Sequence, residues 1–322
     1  MKYLQLLLAA AFLPLVSMFA QAQGYPSKPV RLVVTSPPGG SQDFLARLLA
    51  QQLSPILKQQ VIVDNRTGAS GVIGIDHVAK AAPDGHTLLL GAGGPLTAVP
   101  AFNPKVPFDP VRDFAPITLF ASGSFAVAVH PAVPARTLKE LIALAKAKPR
   151  GLNFGSSGTG AAPHLAAELF KSMAGIDMVH IPYKGVGPAL TDLLGGQIDL
   201  MFADVHLVAP HARNGRLRAL AVTSSARSSV MPELQPVSEA AVPGYAAGNW
   251  FGVLAPAGTP REIVQRLHSE IIKLLGGAEL RERLLAQGME PGGNTPEQFA
   301  AHIRSEIDKW RRVVTNANIK VE

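Results

Sequence analysis

Short apolar runs that alternate with one-sided helical stripes constrain this chain more than any other feature. Residues 29–35 (PVRLVVT) read as a strand, and after PPGG the residues Phe44, Leu45, Leu48, Leu49 and Leu53 recur at helical spacing. VIVD (61–64), a short helix over 71–80 and TLLLG (87–91) continue the series. Strand, helix, strand, helix, strand predicts a largely parallel sheet covered by helices, because parallel neighbours need a crossover long enough to be helical. The rhythm breaks at the Pro-rich stretch 95–116, read as a surface excursion, and resumes at FAVAVH (125–130). From there strands at 152–155, 178–183, 198–202 and 217–223 alternate with helices at 138–147, 163–171 and 187–194 and a short segment over 207–214. A Pro-, Ser- and Ala-rich passage at 230–244 reads as a crossing linker, followed by the strand NWFGVLAP (249–256) and helices near 260–275, 279–286 and 296–314. The last two long helices carry start signals. Thr259, Pro260 and Glu262, and again Thr295, Pro296 and Gln298, have the spacing of a capping box with Pro at the first helical position.

Two α/β blocks joined by an outward and a return passage predict two lobes with a cleft between them, a natural site for a small ligand. The expected division is an export segment at 1–22, one lobe from 23–124 plus 226–322, and a second lobe at 125–225. The export segment rests on Lys2, the apolar run from Leu4 to Ala20, and the small residues Ala20 and Ala22 flanking Gln21, with cleavage after about Ala22. A membrane anchor fits less well, since Pro14 interrupts a run shorter than the roughly 20 residues a bilayer needs. The expected location is therefore outside the cytoplasm. Absence of Cys excludes disulfide staples, thiolate catalysis and Cys-ligated metal, while 47% hydrophobic and 16% charged residues exclude wholesale disorder. The net charge of +7 is scattered instead of blocked, which favours small anions or an acidic partner over nucleic acid.

The candidate binding residues lie in glycine-rich loops that follow strands. In VVTSPPGGSQD (33–43), Pro37 and Pro38 extend the turn, Gly39 and Gly40 let backbone amides approach a ligand, and Ser36, Ser41 and Asp43 add polar groups beside a helix start. Asp43 has a second reading, as a cap within the first helical turn. In NFGSSGTGAAPH (153–164), Ser156, Ser157 and Thr159 offer hydroxyls, Gly158 and Gly160 allow close approach, and His164 is a candidate cleft donor. GAGGPL (91–96), with Gly93, and NRTGASG (65–71) also follow strands and would gather at the same sheet edge. Asn65 and Arg66 are candidate anion contacts, with a turn role and an ion pair to Asp64 or Asp84 as alternatives. Neither a GxSxG elbow, HExxH nor a dinucleotide GxGxxG occurs, so a binding protein without cofactor is favoured over an enzyme. The enzyme alternative is a hydrolase using Ser156 or Ser157.

Several of these segments, in order, resemble one family. YPSKPVRLVVTSPPGGSQDFLARLLA, VIVDNRTGASGVIG, AKAAPDGHTLLLG, YKGVGPALTDLLGGQIDLMF and GVLAPAGTP are similar to the Bug, or TctC-like, solute receptors of tripartite tricarboxylate transporters across residues 25–314. The resemblance implies a periplasmic protein with a two-lobed Venus-flytrap α/β fold and a mixed, mostly parallel sheet in each lobe; the chain is expected to act as a monomer. It implies a small organic acid as ligand (a di- or tricarboxylate, an aromatic acid or an acidic amino acid) held between the loops at 37–43 and 155–160. It implies as partners the membrane components of a transporter or the external domain of a sensor kinase. The chain departs from the family pattern at Thr35 and Ser36, where Pro and an aromatic are usual, at Thr67 and Ser70 in NRPGAGG, and at His86 in PDGYTLL. Ala203 and Asp204 stand where many relatives read Asp-Asn, and Asp204 is a candidate ligand contact that would favour an amino group or repel a second carboxylate.

Overall fold

The computed structural model describes residues 24–103 and 105–317. The expected export segment lies outside them. Eleven strands form two sheets among the described residues. In chain order the first lobe opens with β1 (Val30–Val34), α1 (Ser41–Leu57), β2 (Val61–Asn65), a 3-10 turn at Ala69–Gly71, α2 (Val72–Ala79) and β3 (Thr87–Ala92). A π-helical turn (Gly94–Ala98) runs into α3 (Val99–Phe102), and β4 (Phe114–Gly123) leads across to the second lobe. That lobe contains β5 (Phe125–Val129), α4 (Leu138–Ala147), β6 (Asn153–Ser156), α5 (Ala162–Ala174), β7 (Val179–Pro182) and α6 (Val186–Leu194). It continues with β8 (Leu200–Asp204), α7 (Val205–Arg213), β9 (Arg218–Val222) and α8 (Val237–Ala240). The chain returns through β10 (Asn249–Pro256), α9 (Arg261–Gly276), α10 (Ala278–Ala286), β11 (Met289–Pro291) and α11 (Pro296–Ala317).

The first sheet has the order β11-β4-β10-β3-β1-β2 and the second β7-β6-β8-β5-β9. Parallel pairs surround β1 (with β2 and β3) and β6 (with β7 and β8), whereas β4, β10 and β11 and the pairs of β5 with β8 and β9 are antiparallel. Both sheets are therefore mixed, with fewer parallel pairs than the alternation of elements implies, because the strands that travel between the lobes enter each sheet from the opposite direction.

The apolar strand runs are explained by burial on both faces. Along β1, Val30, Leu32 and Val34 join a core with Leu45, Leu48, Leu49 and Leu53 of α1, while Val33 faces Ile75, Phe299 and Ile303 on the other side. The second sheet repeats the arrangement. Phe125, Val127, Phe154 and Phe202 pack on one face, and Ala126, Ala128, Met201 and Ala203 on the other. Ala98, Leu165, Trp310 and Val313 form a small cluster in which α5 of the second lobe meets α11 and the π turn of the first. Among the described residues no helix is long and apolar enough to cross a membrane.

Three expectations differ from the structure. Residues 94–102 are helical and contribute Leu96, Ala98 and Val99 to the interior, so the Pro-rich stretch is a surface excursion only in its later part. Pro95 and Pro100 sit in the first turns of their helices, where the missing N–H is not needed. The return crossing falls near Gly248 instead of 225/226: Val237, Val242, Tyr245 and Ala247 pack in the second lobe's core, and the Tyr245 hydroxyl donates to the Ala166 carbonyl at 2.9 Å. Of the two capping boxes, the one at Thr295 forms, with Gln298 N–H to Thr295 Oγ1 at 3.2 Å and Thr295 N–H to Gln298 Oε1 at 3.0 Å. The one at Thr259 does not, since its hydroxyl donates back to the Pro256 carbonyl at 2.8 Å.

Candidate functional site

Each sheet has one strand from which the chain departs in both directions, β1 in the first lobe and β6 in the second. Ligands of open α/β sheets settle at the carboxyl end of such a switch strand. The loop after β1 is 35–40 and the loop after β6 is 157–161, so the two glycine-rich segments singled out in the sequence occupy the corresponding place in each lobe. Both run into helices, α1 with Gly40 and α5 with Ala161 at the N-cap, that have no side-chain cap. Their first-turn N–H groups are left for an anion, and the helix dipoles favour one. Uncapped starts occur elsewhere, at α9 for example, so it is the position at the switch strand that distinguishes these two.

The β1–α1 loop is fastened by Asp43. Its carboxylate, 4% exposed, accepts from the Gly39 N–H at 3.0 Å, from Arg47 Nε and Nη2 at 2.9 Å each, and from Asn65 Nδ2 at 3.0 Å. Burial pushes its pKa up, but these donors outweigh burial and hold it below the ordinary 3.8. Asp43 thus fastens the loop, a role apart from the ligand contact and the first-turn cap read from the sequence, and Asn65 also donates to the Ser36 carbonyl at 3.1 Å. Pro38 and Gly39 are exposed, with Gly39 at φ +88°, a left-handed conformation suited to glycine. Arg66 pairs with Asp64 at 2.9 Å. Gly93 is buried, and a Cβ there would come within 2.5 Å of Trp250 Nε1, so its lack of a side chain makes room for the indole.

The β6–α5 loop is fastened by two imidazoles that the sequence left unassigned or placed in the cleft. His180 Nε2 lies 2.7 Å from Ser156 Oγ, and His164 Nδ1 accepts from the Gly160 N–H at 3.1 Å. The two rings stack at 3.9 Å, and His180 stacks on Phe154 at 4.9 Å. Burial, with lesser contributions from the neighbouring imidazole and Lys171, lowers the pKa of His164 from its usual 6.5 to about 3. Burial and Lys171 lower that of His180 to about 4. Both are therefore neutral, as an acceptor nitrogen requires. Gly158 (φ +138°) donates its N–H to Ser156 Oγ at 3.1 Å, and backbone bonds from Tyr183 and Gly185 to Ser156 and Ser157 lace the loop to the next strand. Ser157, Gly158 and Thr159 remain half-buried.

Ser156 and His180 have the separation of a nucleophile and its base, so the hydrolase alternative needs an answer. Ser156 is wholly buried, its oxygen receives the Gly158 N–H, and His180 is stacked between two rings. No carboxylate orients that imidazole among the hydrogen bonds of the described residues. The pair shapes a loop. Among the described residues, no group of three or more His, Asp or Glu is arranged to hold a metal.

The lobes meet at this edge. Ser41 Oγ donates to Asp204 Oδ2 at 3.2 Å, joining the β1–α1 loop to the end of β8. Ser70 Oγ reaches the Thr159 carbonyl at 3.4 Å, and an atom placed at the Gly94 Cβ position would lie 3.1 Å from the Ala162 nitrogen. Thus the first glycine loop faces Asp204, and the second faces the 65–71 and 91–96 loops.

Known proteins share this fold. The chain matches the family described as tripartite tricarboxylate transporter family receptor (TctC) over residues 45–319. It is 38% identical to protein BugT of Bordetella pertussis, over 94% of this chain and 93% of that one. Among solved structures it superposes on R. palustris Rpa4515 with adipate (37% identity, TM-score 0.85, 92% of this chain and 99% of that chain). It also superposes on MatC (Rpa3494) from Rhodopseudomonas palustris with bound malate (31% identity, TM-score 0.82, 90% and 100%). The protein belongs to the TctC/Bug family of periplasmic solute-binding receptors, whose members capture small organic acids for tripartite tricarboxylate transporters.

Proposed function

We propose that the ligand is a small dicarboxylic acid held between the β1–α1 and β6–α5 loops, and that lobe closure around it creates the surface presented to the membrane components of the transporter. The observation that carries this reading is the occurrence of a glycine-rich, uncapped helix start at the switch strand of each lobe, with the two edges in contact. Backbone N–H groups and hydroxyls bind a carboxylate without a full counter-charge, and two such loops match the two ends of a diacid. The bound molecules of two relatives, adipate and malate, are both diacids. Ser36, Gly40, the Ser41 N–H, Ser157 and Thr159 are the groups assigned to the ligand; Asp43, Ser156, Gly158, Gly160 and His164 hold the loops, and Gly93 seats Trp250. Export to the periplasm proceeds through the segment cleaved after about Ala22, and N-terminal sequencing of the secreted chain checks that site.

The test is a thermal-shift and calorimetric screen of the mature chain against C4 to C6 dicarboxylates, a tricarboxylate, a benzoate and amino acids. At a hundredfold excess over Kd a dicarboxylate should raise the melting temperature by about 5 °C. Absence of any shift with every diacid, or tighter binding of the benzoate, would overturn the assignment.

A further inference from the structure

Asp204 occupies the N-cap of α7, a position at which Asp ordinarily binds the helix N–H groups, yet its side chain makes no capping hydrogen bond. It turns across the lobe boundary instead. Oδ2 accepts from the Ser41 hydroxyl at 3.2 Å, while Oδ1 is closed off from solvent and has no hydrogen-bond partner from the protein. Ser36 Oγ, in the loop that leads to Ser41, is likewise buried and unpartnered, and lies 3.8 Å from where a Cβ of Gly40 would stand. A buried acceptor without a donor is expensive, and more so when it belongs to a carboxyl group. Asp204 ends β8, which neighbours the switch strand β6, and its side chain lies at the edge where the lobes meet.

We infer that Asp204 Oδ1 is the receptor for a hydrogen-bond donor on the ligand, and that the preferred substrate is a carboxylic acid carrying a hydroxyl or ammonium substituent instead of a plain dicarboxylate. This rests on the diacid reading above and refines it. The carboxylates of the ligand meet N–H donors at the two loops. A donor on the intervening carbon meets Asp204 Oδ1, and the Ser36 hydroxyl, in the loop that leads to Ser41, can donate or accept. A plain diacid leaves Oδ1 unsatisfied, and a site built around a donor discriminates strongly against a molecule that lacks it. Ser41 fixes the rotamer of Asp204 by holding Oδ2, which makes Ser41 a positioning residue for this contact.

Titration calorimetry of the mature protein with malate, aspartate and succinate, in the wild type, Asp204→Asn and Ser41→Ala, tests this. The wild type should bind malate or aspartate at least tenfold more tightly than succinate, and whichever binds tightly identifies the donor as hydroxyl or ammonium. Asp204→Asn keeps the shape but can present an N–H where the acceptor stood, so the preference should fall below about threefold, chiefly by weakening the donor-bearing acid. Ser41→Ala should narrow it by a smaller factor, and supplies the readout if Asp204→Asn fails to fold. Succinate bound as tightly as the other two in the wild type, or a preference unchanged in the variants, overturns the inference while leaving diacid capture intact. A protein that binds none of these three acids overturns the inference, and the diacid reading falls with it if the C5 and C6 dicarboxylates fail to bind as well.

Discussion

The two ligand loops hold the same station in their sheets but are made rigid by opposite chemistry. In the first lobe an ionised carboxylate, Asp43, gathers Gly39, Asn65 and Arg47 around itself. In the second, two neutral imidazoles, His164 and His180, receive Gly160 and contact Ser156 from inside an aromatic stack. Equivalent positions thus constrain where a loop goes, not how it is fixed. The consequence is a difference in sensitivity. The carboxylate arrangement depends on a charge partly open to water and salt, since the Arg47 side chain is 56% exposed. The imidazole arrangement depends on the absence of charge.

The largest expected effect comes from removing the first device. Asp43→Ala leaves the Gly39 N–H and Asn65 without their acceptor and should cost about 2 kcal/mol of stability, with at least a tenfold loss of ligand affinity as the loop loosens. Chemical denaturation and calorimetry check both, and a variant of wild-type affinity would mean that the loop needs no fastening. Acid breaks the comparison from the other side. Histidines whose folded pKa values are depressed to about 3 and 4 stay neutral in the native chain, while the unfolded chain takes up protons from about 6.5 downward, so stability falls across that window. The loss should be on the order of a few kcal/mol and should shrink in His164→Gln and His180→Gln. Asp43, held below 3.8, contributes stability that is lost only as pH falls through its own lower value. At pH 5, hydrogen exchange corrected for intrinsic rates should therefore show 156–160 losing protection before 39–43. Simultaneous loss would contradict the distinction.

Two smaller effects sharpen the picture. Ser157→Ala should weaken ligand binding two- to tenfold, the worth of one hydrogen bond, while leaving the melting temperature of the ligand-free protein unchanged. Equal affinity by calorimetry would remove Ser157 from the site. Ser70 stands at φ 53°, a left-handed conformation that suits glycine, and its hydroxyl reaches Thr159 across the lobes. Ser70→Gly should relieve about 1 kcal/mol of left-handed strain at the expense of a long hydrogen bond, so the net change in melting temperature is expected to be small and upward. A drop of several degrees would show that the cross-lobe bond matters more than the strain.

Much of this was legible from local pattern. Apolar runs buried on both faces, the glycine loops and the Thr295 capping box are all set within a few residues of chain. What escaped the sequence depends on distant partners. Val237, Val242 and Tyr245 bind residues 226–247 to the second lobe, but their spacing follows neither a helical nor a strand period, so the passage read as a linker. Pro95 and Pro100 looked like breakers because their tolerance depends on where the helix begins. Thr259 had the residues of a cap, yet a nearby carbonyl competed successfully for its hydroxyl. The roles of Asp43 and His180 required knowing that Asn65, Arg47 and Ser156 lie beside them. The aim of Asp204 across the cleft depended likewise on the meeting of two lobes.

The most direct test of the central claim, one acid shared by the switch-strand loops of both lobes, is a crystal structure of the protein with the tightest-binding diacid. The account predicts carboxylate oxygens within hydrogen-bond distance of N–H or hydroxyl groups from residues 36–42 at one end and 157–160 at the other. A ligand bound wholly within one lobe, or elsewhere on the surface, would contradict it.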